Sequence, residues 1–196
     1  MNTKCPNLEN FLIYDINDYI LPDVKRLREE VRPDPDRKAL RGCTVPTGMF
    51  AFAILDLVGF LMRPEPDAKR EETTKNITFI LSSTAGLFPN EYEKSTSLLI
   101  KLFRHGLMHQ VFPKASGVAK IPKHIKLPLV FYQPKGLPNL NVDKLADDLI
   151  IALTSLEKCV KTDDVLAYRM EQRIAFLIDE DFKLLEEMRQ KGLVES

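Results

Sequence analysis

The sequence has few cysteines, and their spacing matches neither a disulfide framework nor a metal site. Cys5, Cys43 and Cys159 are far apart in the 196 residues, and no Cys-x-x-Cys pair occurs. Stabilised secreted domains carry dense, even-numbered cysteines. The first ten residues also lack a basic stretch followed by an apolar run, the mark of a secretory signal. These absences predict free thiols in a reducing compartment.

Excess charge of one sign and a long apolar run are also missing. Lys and Arg number 28, as do Asp and Glu, so the net charge is zero. Attraction to nucleic acid or to a membrane must therefore come from local segregation of charge. The most apolar stretch, residues 49–62, contains Asp56 and is too short to cross a bilayer. We expect a cytoplasmic protein without a membrane anchor.

Helical periodicity dominates the first third of the chain. Apolar residues recur at spacings of three and four in the following positions: Leu8, Leu12, Ile16, Ile20, Val24, Leu27 and Val31. Pro22 is expected to kink that helix or to split it. Pro46 suits the first turn of a second helix, which continues to Met62. Because that helix is apolar on all sides, it is predicted to be the central helix of a bundle.

The remaining helices are predicted from their capping residues. Asp67 is suited to cap a third helix, although its last part, residues 77–81, also fits a strand. Asn90 and Glu93 form a capping-box pattern for a fourth helix, residues 91 to about 112. Asn141 precedes a helix at 142–160, and an acidic helix spans 163–191. The prediction is a single domain, 1–196, that is mainly all-α, with five to six helices.

A basic, proline-rich insert at 113–141 interrupts this helical pattern. It contains five prolines and two glycines: Pro113, Pro122, Pro128, Pro134 and Pro138, with Gly117 and Gly136. It contains no Asp or Glu, and its basic side chains are Lys114, Lys120, Lys123, Lys126 and Lys135. The insert is predicted to be a loop or a short hairpin of 118–126 with 129–133, confined to a sheet edge by proline. Phe131 and Tyr132 are suited either to stack bases or to anchor the insert to the core.

The chemistry of the chain is concentrated at the end of the fourth helix. Two of the three histidines, His105 and His109, follow Arg104 there, and Lys101 precedes it. Imidazole exchanges protons near neutral pH, and guanidinium binds phosphate through a bidentate fork. Arg104 and His109 are separated by about 140° on an α-helical wheel. These residue types suit phosphodiester cleavage without a metal.

Arg104, the polar His105 directly after it and His109 resemble the motif of the HEPN superfamily. The resemblance implies a helical bundle with the motif late on a core helix. It also implies a homodimer that brings two motifs together, and metal-independent RNA cleavage in the active members. Other members bind nucleotides or serve as scaffolds. The close part of the resemblance covers six residues, and the basic insert matches no pattern of the family.

The resemblance implies that the catalytic residues are Arg104, His109 and His105. His109 serves as general base or acid, Arg104 stabilises the charge on the phosphoryl oxygens, and His105 orients or binds phosphate. Lys101 and three insert lysines are the predicted RNA-binding residues: Lys114, Lys120 and Lys123. No metal and no cofactor are expected.

Other interpretations remain open from the sequence. Arg104 can instead be a structural partner of Asp56, which an apolar second helix would bury. His105 and His109 also have the spacing of two zinc ligands, with His124 or an acid of the last helix as a third. The rival function is a non-catalytic scaffold or nucleotide-binding domain with a cognate protein partner, such as the antidote half of a toxin–antitoxin pair.

Overall fold

The chain folds into a helical bundle with a small sheet at its side, as a computed structural model shows for residues 6–30, 44–105, 117–119, 125–132 and 136–191. Within these ranges there are six helices. They are α1 (residues 6–30), α2 (Thr44–Met62), α3 (Thr73–Ile80), α4 (residues 90–104), α5 (Val142–Thr162) and α6 (Asp164–Gln190). The prediction of a mainly all-α bundle of about six helices is confirmed.

Helix α1 consists of three consecutive segments without a break. Pro6–Asn10 and Leu21–Glu30 are α-helical, and Phe11–Ile20 between them is π-helical. The backbone N–H of Leu21 donates to the carbonyl of Ile16, five residues earlier. Pro22, which has no N–H to donate, follows directly on this bond, where π-helical bonding changes to α-helical bonding. Pro22 therefore does not split the helix.

Helix α2 is the central element of the bundle, as predicted. It contacts α1, α3, α5 and α6, and most of its side chains are buried, while Ala53 is exposed and Asp56 is partly exposed on its outer face. By length and composition alone it is apolar enough to cross a membrane, but 61 % of its most apolar window is buried inside the fold. Such burial is typical of a core helix. Among the residues that the structure describes, α2 is the single helix that passes this test.

Helices α2 and α3 approach closely at Gly59. A Cβ atom placed on Gly59 would lie 2.2 Å from the carbonyl oxygen of Asn76 on α3. Glycine is therefore needed because of packing, since any side chain would separate the two helices. The same contact brings the polar end of Asn76, which is fully buried, beside α2.

Two predicted helix starts are wrong. Helix α3 begins at Thr73, so Asp67 lies in the preceding turn and does not cap it, and residues 77–80 are helical rather than a strand. The N-cap of α4 is Pro89, without a side-chain hydrogen bond, and Asn90 is already helical. The predicted capping box does not form. Instead, the carboxylate of Glu93 accepts a hydrogen bond from the backbone N–H of Ser83 at 3.3 Å.

The insert forms a three-stranded sheet of order β1-β3-β2, with β1 at Gly117–Ala119, β2 at Leu129–Tyr132 and β3 at Leu137–Asn141. The predicted hairpin partner of 129–133 is wrong: β2 pairs antiparallel with β3, while β1 pairs parallel with β3. Pro138 lies in the central strand. The N–H of Asn141 donates to Pro128, so Pro138, three residues away, directs its nitrogen to the β1 side, where pairing begins only at Asn139.

The last two helices begin as predicted, each with a side-chain cap. The Asn141 carbonyl oxygen accepts from the N–H of Lys144 at 3.2 Å, and the Asp163 carboxylate accepts from the N–H of Leu166 at 2.9 Å. Helix α6 packs on the bundle only in its first half. Beyond that, it exposes large apolar side chains over 38–65 % of their surface: Phe176, Ile178, Phe182, Leu184 and Leu185.

Candidate functional site

The predicted site begins in the second half of α4, where the helix changes its hydrogen bonding. Residues Leu99–Arg104 are π-helical, and the N–H of His105 donates to the carbonyl of Ile100, five residues earlier. Leu99, Ile100 and Phe103 are buried against the bundle. Single π-helical turns inside helices are often found at functional sites.

Arg104 and His105 contact each other directly through their side chains. A guanidinium nitrogen of Arg104 lies 3.1 Å from Nδ1 of His105, and both residues are partly exposed. Guanidinium has donors only, so Nδ1 must be the acceptor and the ring proton must be on Nε2. A second proton on the ring would remove this bond and place two cations side by side. The contact therefore favours a neutral imidazole whose Nε2–H is a donor.

The structure brings together only part of the predicted site. Arg104, His105 and the exposed Lys101 share the π-helical segment and its end. His109, Lys114, Lys120 and Lys123 lie outside the described residues, as does the alternative zinc ligand His124. In the described ranges there is no group of three His, Cys, Asp or Glu side chains that could hold a metal ion. Cys159 is a free thiol there, and Cys5 and Cys43 lie outside.

The predicted partnership of Asp56 with Arg104 is not what the structure shows. The side-chain amide of Asn76 donates to the Asp56 carboxylate at 2.9 Å, so Asp56 has a different partner from the predicted one. The physical reason is the close approach at Gly59, which brings Asn76 onto Asp56. Asp56 is also partly exposed, so it needs no buried cation.

Sequence reasoning missed a buried polar cluster at the C-terminal end of α2. We call it the helix-end network; its members are Arg63, Glu72, Asn76, Arg169 and Arg173. Arg63 is 3 % exposed and donates to the side chains of Glu72 and Asn76, each at 2.9 Å, and to Glu65 at 3.2 Å. Lys75 also pairs with Glu72. Together these contacts lower the pKa of Glu72 from 4.5 to about 2, Lys75 first and Arg63 second.

Two arginines of α6 complete this network. Arg169 donates to the carbonyl of Met62 at 2.9 Å. Arg173, which is 8 % exposed, donates to four carbonyl oxygens: those of Phe60, Leu61 (3.4 Å), Arg63 (2.8 Å) and Glu65 (2.5 Å). Burial lowers the pKa of Arg173, and the neighbouring Arg169 and Arg63 lower it further. The guanidinium groups satisfy the last carbonyls of α2 and oppose the negative end of its dipole.

The sequence did contain a signal for this network. Arg63 follows the apolar helix directly, and Arg169 and Arg173 are four residues apart, which places them on one face of α6. The sequence did not indicate that α6 crosses the end of α2. Since every guanidinium in the network binds a carbonyl or a carboxylate, the cluster is structural.

A second missed group surrounds Tyr92 on α4. Tyr92 is fully buried, and its hydroxyl has no hydrogen-bond partner within the described part of the chain. Burial, and then the negative charge of Asp148, raise the pKa of Tyr92 well above 10. Lys144 binds Asp148 at 2.6 Å, and its ammonium lies 5.9 Å from the Tyr92 ring centroid. This phenol stays protonated at neutral pH and is not a candidate base.

The cavity between α2, α3 and α5 offers no polar group to a ligand. It is lined by apolar side chains, among them Ile54, Val58, Leu149 and Leu153. We regard it as a packing void. Comparison of the chain with protein families, with characterised proteins and with solved structures finds no match in any of the three.

Proposed function

We propose that the protein is a metal-independent endoribonuclease of the HEPN type that acts as a homodimer. The observation that carries the proposal is the contact of the Arg104 guanidinium with the His105 imidazole on a core helix, where both residues are partly exposed. A cation with a planar fork beside a neutral imidazole provides phosphate binding and hydrogen donation at one place. The all-helical bundle agrees with the fold that the motif resemblance implies.

In the proposed reaction the RNA supplies its own nucleophile. His109 removes the proton from a 2′-hydroxyl, whose oxygen attacks the adjacent phosphorus, and the bond to the 5′-oxygen of the next nucleotide breaks. The products are a 2′,3′-cyclic phosphate and a free 5′-hydroxyl, which takes up a proton from a general acid. Arg104 stabilises the charge on the phosphoryl oxygens, and Nε2–H of His105 donates to one of them. Lys101, exposed one π-turn earlier, contacts the neighbouring phosphate.

The dimer is supported by the second half of α6. Its exposed side chains Phe182 and Leu185 lie on the same face as Ile174, which is buried in the bundle, so one apolar stripe runs from the core onto the surface. A second copy can cover this stripe across a two-fold axis.

The same stripe also favours a second candidate function. A cognate protein in place of a second copy would make this chain a non-catalytic interaction domain, such as one half of a toxin–antitoxin pair. Light scattering at micromolar concentration separates the two. The ribonuclease proposal expects a homodimer of the purified protein, whereas an interaction domain is a monomer until its partner binds. Both proposals place the protein in the cytoplasm.

The test of catalysis is the incubation of a mixed RNA in EDTA. We compare wild type with His109→Ala and use His124→Ala as the matched control, because it removes the histidine outside the motif. Wild type and His124→Ala should cleave, and His109→Ala should not. Cleavage that EDTA abolishes, with about one zinc per chain that is lost in His105→Ala, would establish the zinc site instead. Equal cleavage by all three proteins would exclude His109 from the reaction.

A further inference from the structure

The outer end of the small sheet extends away from the bundle. Leu129 of β2 and Leu140 of β3 face each other and are buried, at 7 % and 0 % exposure. Two residues further along the same face of β2, Phe131 lies beside Pro138 and is 58 % exposed. Leu129 therefore anchors the strand, and Phe131 presents its ring to solvent.

This exposed ring stands in the basic part of the sequence. Residues 113–141 carry five lysines and no acid, while the rest of the chain has 23 basic and 28 acidic side chains. Lys126, which precedes β2, is exposed. The lysines are thus concentrated in the stretch of sequence that contains the three strands. This local concentration of lysines can attract phosphate, although the net charge of the whole molecule is zero.

We infer that the face of this sheet bearing Phe131 binds single-stranded RNA, with a base stacked on Phe131 and phosphates next to the lysines. The inference rests on the proposed ribonuclease function and names its substrate class. An exposed aromatic ring next to basic side chains is the arrangement by which proteins hold unpaired bases. Duplex RNA keeps its bases stacked on one another and offers no free face to such a ring.

Stacking is tested by binding, separately from cleavage. The probe is a fluorescent single-stranded 2′-O-methyl RNA in EDTA, which lacks the nucleophilic hydroxyl. Phe131→Ala should weaken its binding about five- to hundredfold, and Phe131→Trp should retain it. Tyr19→Ala is the matched control, since Tyr19 is 67 % exposed on α1, far from the lysines in sequence, and its loss should change nothing. Equal losses in Phe131→Ala and Tyr19→Ala would overturn the inference.

The charge contribution is tested by salt. The plot of log affinity against log salt should lose about 0.7–1 of its slope in Lys126→Ala. Lys158→Ala, which removes an exposed lysine of α5, should leave the slope unchanged. Equal binding of a duplex, or of polyglutamate in a manner insensitive to Phe131→Ala, would contradict the inference and indicate an acidic partner.

Failure of the inference and failure of the proposed function give different results. Wild type that cleaves RNA but binds the single-stranded probe no better than Phe131→Ala does would overturn the sheet as the binding surface and leave the ribonuclease intact. Selective binding through Phe131 without any cleavage in EDTA would support the sheet and refute the ribonuclease.

Discussion

The helix-end network and the Arg104–His105 pair both contain arginine, but the surroundings of the guanidinium groups differ. In the network, Arg63 and Arg173 are 3 % and 8 % exposed, and carbonyls or carboxylates surround their guanidinium groups. On α4, Arg104 is partly exposed and contacts the imidazole of His105. The guanidinium groups of the network bind backbone carbonyls and carboxylates in the interior, whereas that of Arg104 binds a ring nitrogen at a partly exposed position.

Replacement of Arg104 should have the largest effect on activity. Arg104→Ala should slow RNA cleavage by about two to three orders of magnitude, the effect of losing one transition-state charge stabiliser. The free energy of unfolding should change by only about 0–1 kcal/mol, because the group is partly exposed. Arg104→Lys keeps the charge but loses the planar fork, so most of the activity should still be lost.

The measurements are initial cleavage rates in EDTA and thermal melting, with Arg189→Ala as the control for an exposed arginine. A large loss of melting temperature in Arg104→Ala that Asp56→Asn relieves would show that Arg104 is structural after all. Asp56 has Asn76 as its partner, so we expect no such relief.

Arg173 should give the opposite result. Arg173→Ala leaves several buried carbonyl oxygens at the end of α2 without donors, which costs about 3 kcal/mol. That corresponds to a loss of roughly 10 °C in melting temperature for a domain of this size. Arg169→Ala, which removes one carbonyl contact of a partly exposed group, should cost less. The cleavage rate per folded molecule should stay unchanged in both variants. A lower rate would contradict the structural role of these two arginines.

Tyr92 tests whether α4 itself can be changed without a loss of activity. Tyr92→Phe removes a buried hydroxyl that has no hydrogen-bond partner among the described residues, so stability should stay level or rise by up to about 1 kcal/mol. Chemical denaturation measures this, with Tyr168→Phe as the exposed control. A clear loss of stability would mean that Asp148 accepts a hydrogen bond from the phenol.

Replacement of Glu72 should have the smallest effect, which is a change in the stability of the protein at acid pH. The pKa of Glu72 is about 2 in the folded protein and 4.5 ordinarily, so its contribution to stability is complete above pH 4.5 and is lost as the pH falls toward 2. Glu72→Gln should therefore flatten the decline of unfolding free energy in this window. Glu91→Gln, an exposed carboxylate on α4, is the control. An unchanged slope in Glu72→Gln would exclude Glu72 as a source of acid sensitivity.

The sequence predicts the parts of this fold that depend on local spacing, and it fails where distant residues meet. The apolar stripe of α1, the apolar composition of α2 and the cap Asn141 follow from neighbouring residues. The capping box at Asn90 failed because Glu93 bonds to Ser83 instead. The hairpin failed because strand pairing depends on which strand the turn at Gly136, with φ of 60°, brings alongside β2.

The same division applies to the candidate site. Arg104 and His105 are neighbours in the sequence, but no residue pattern indicated the π-helical turn that precedes their contact. The assignment of Asp56 as partner of Arg104 required the crossing of α2 and α3. That crossing depends on Gly59, where the absence of a side chain lets the two helices approach closely.

Gly59 also determines which sequences this fold can accept. In the middle of a helix glycine costs about 1 kcal/mol relative to alanine, so its presence in α2 weakens the central helix. Even so, an alanine there would place its methyl group against the Asn76 carbonyl. In a saturation library, position 59 should therefore retain glycine alone, while the exposed Ala53 of the same helix should tolerate many replacements. The least tolerant position of the domain would then be one that carries no chemistry.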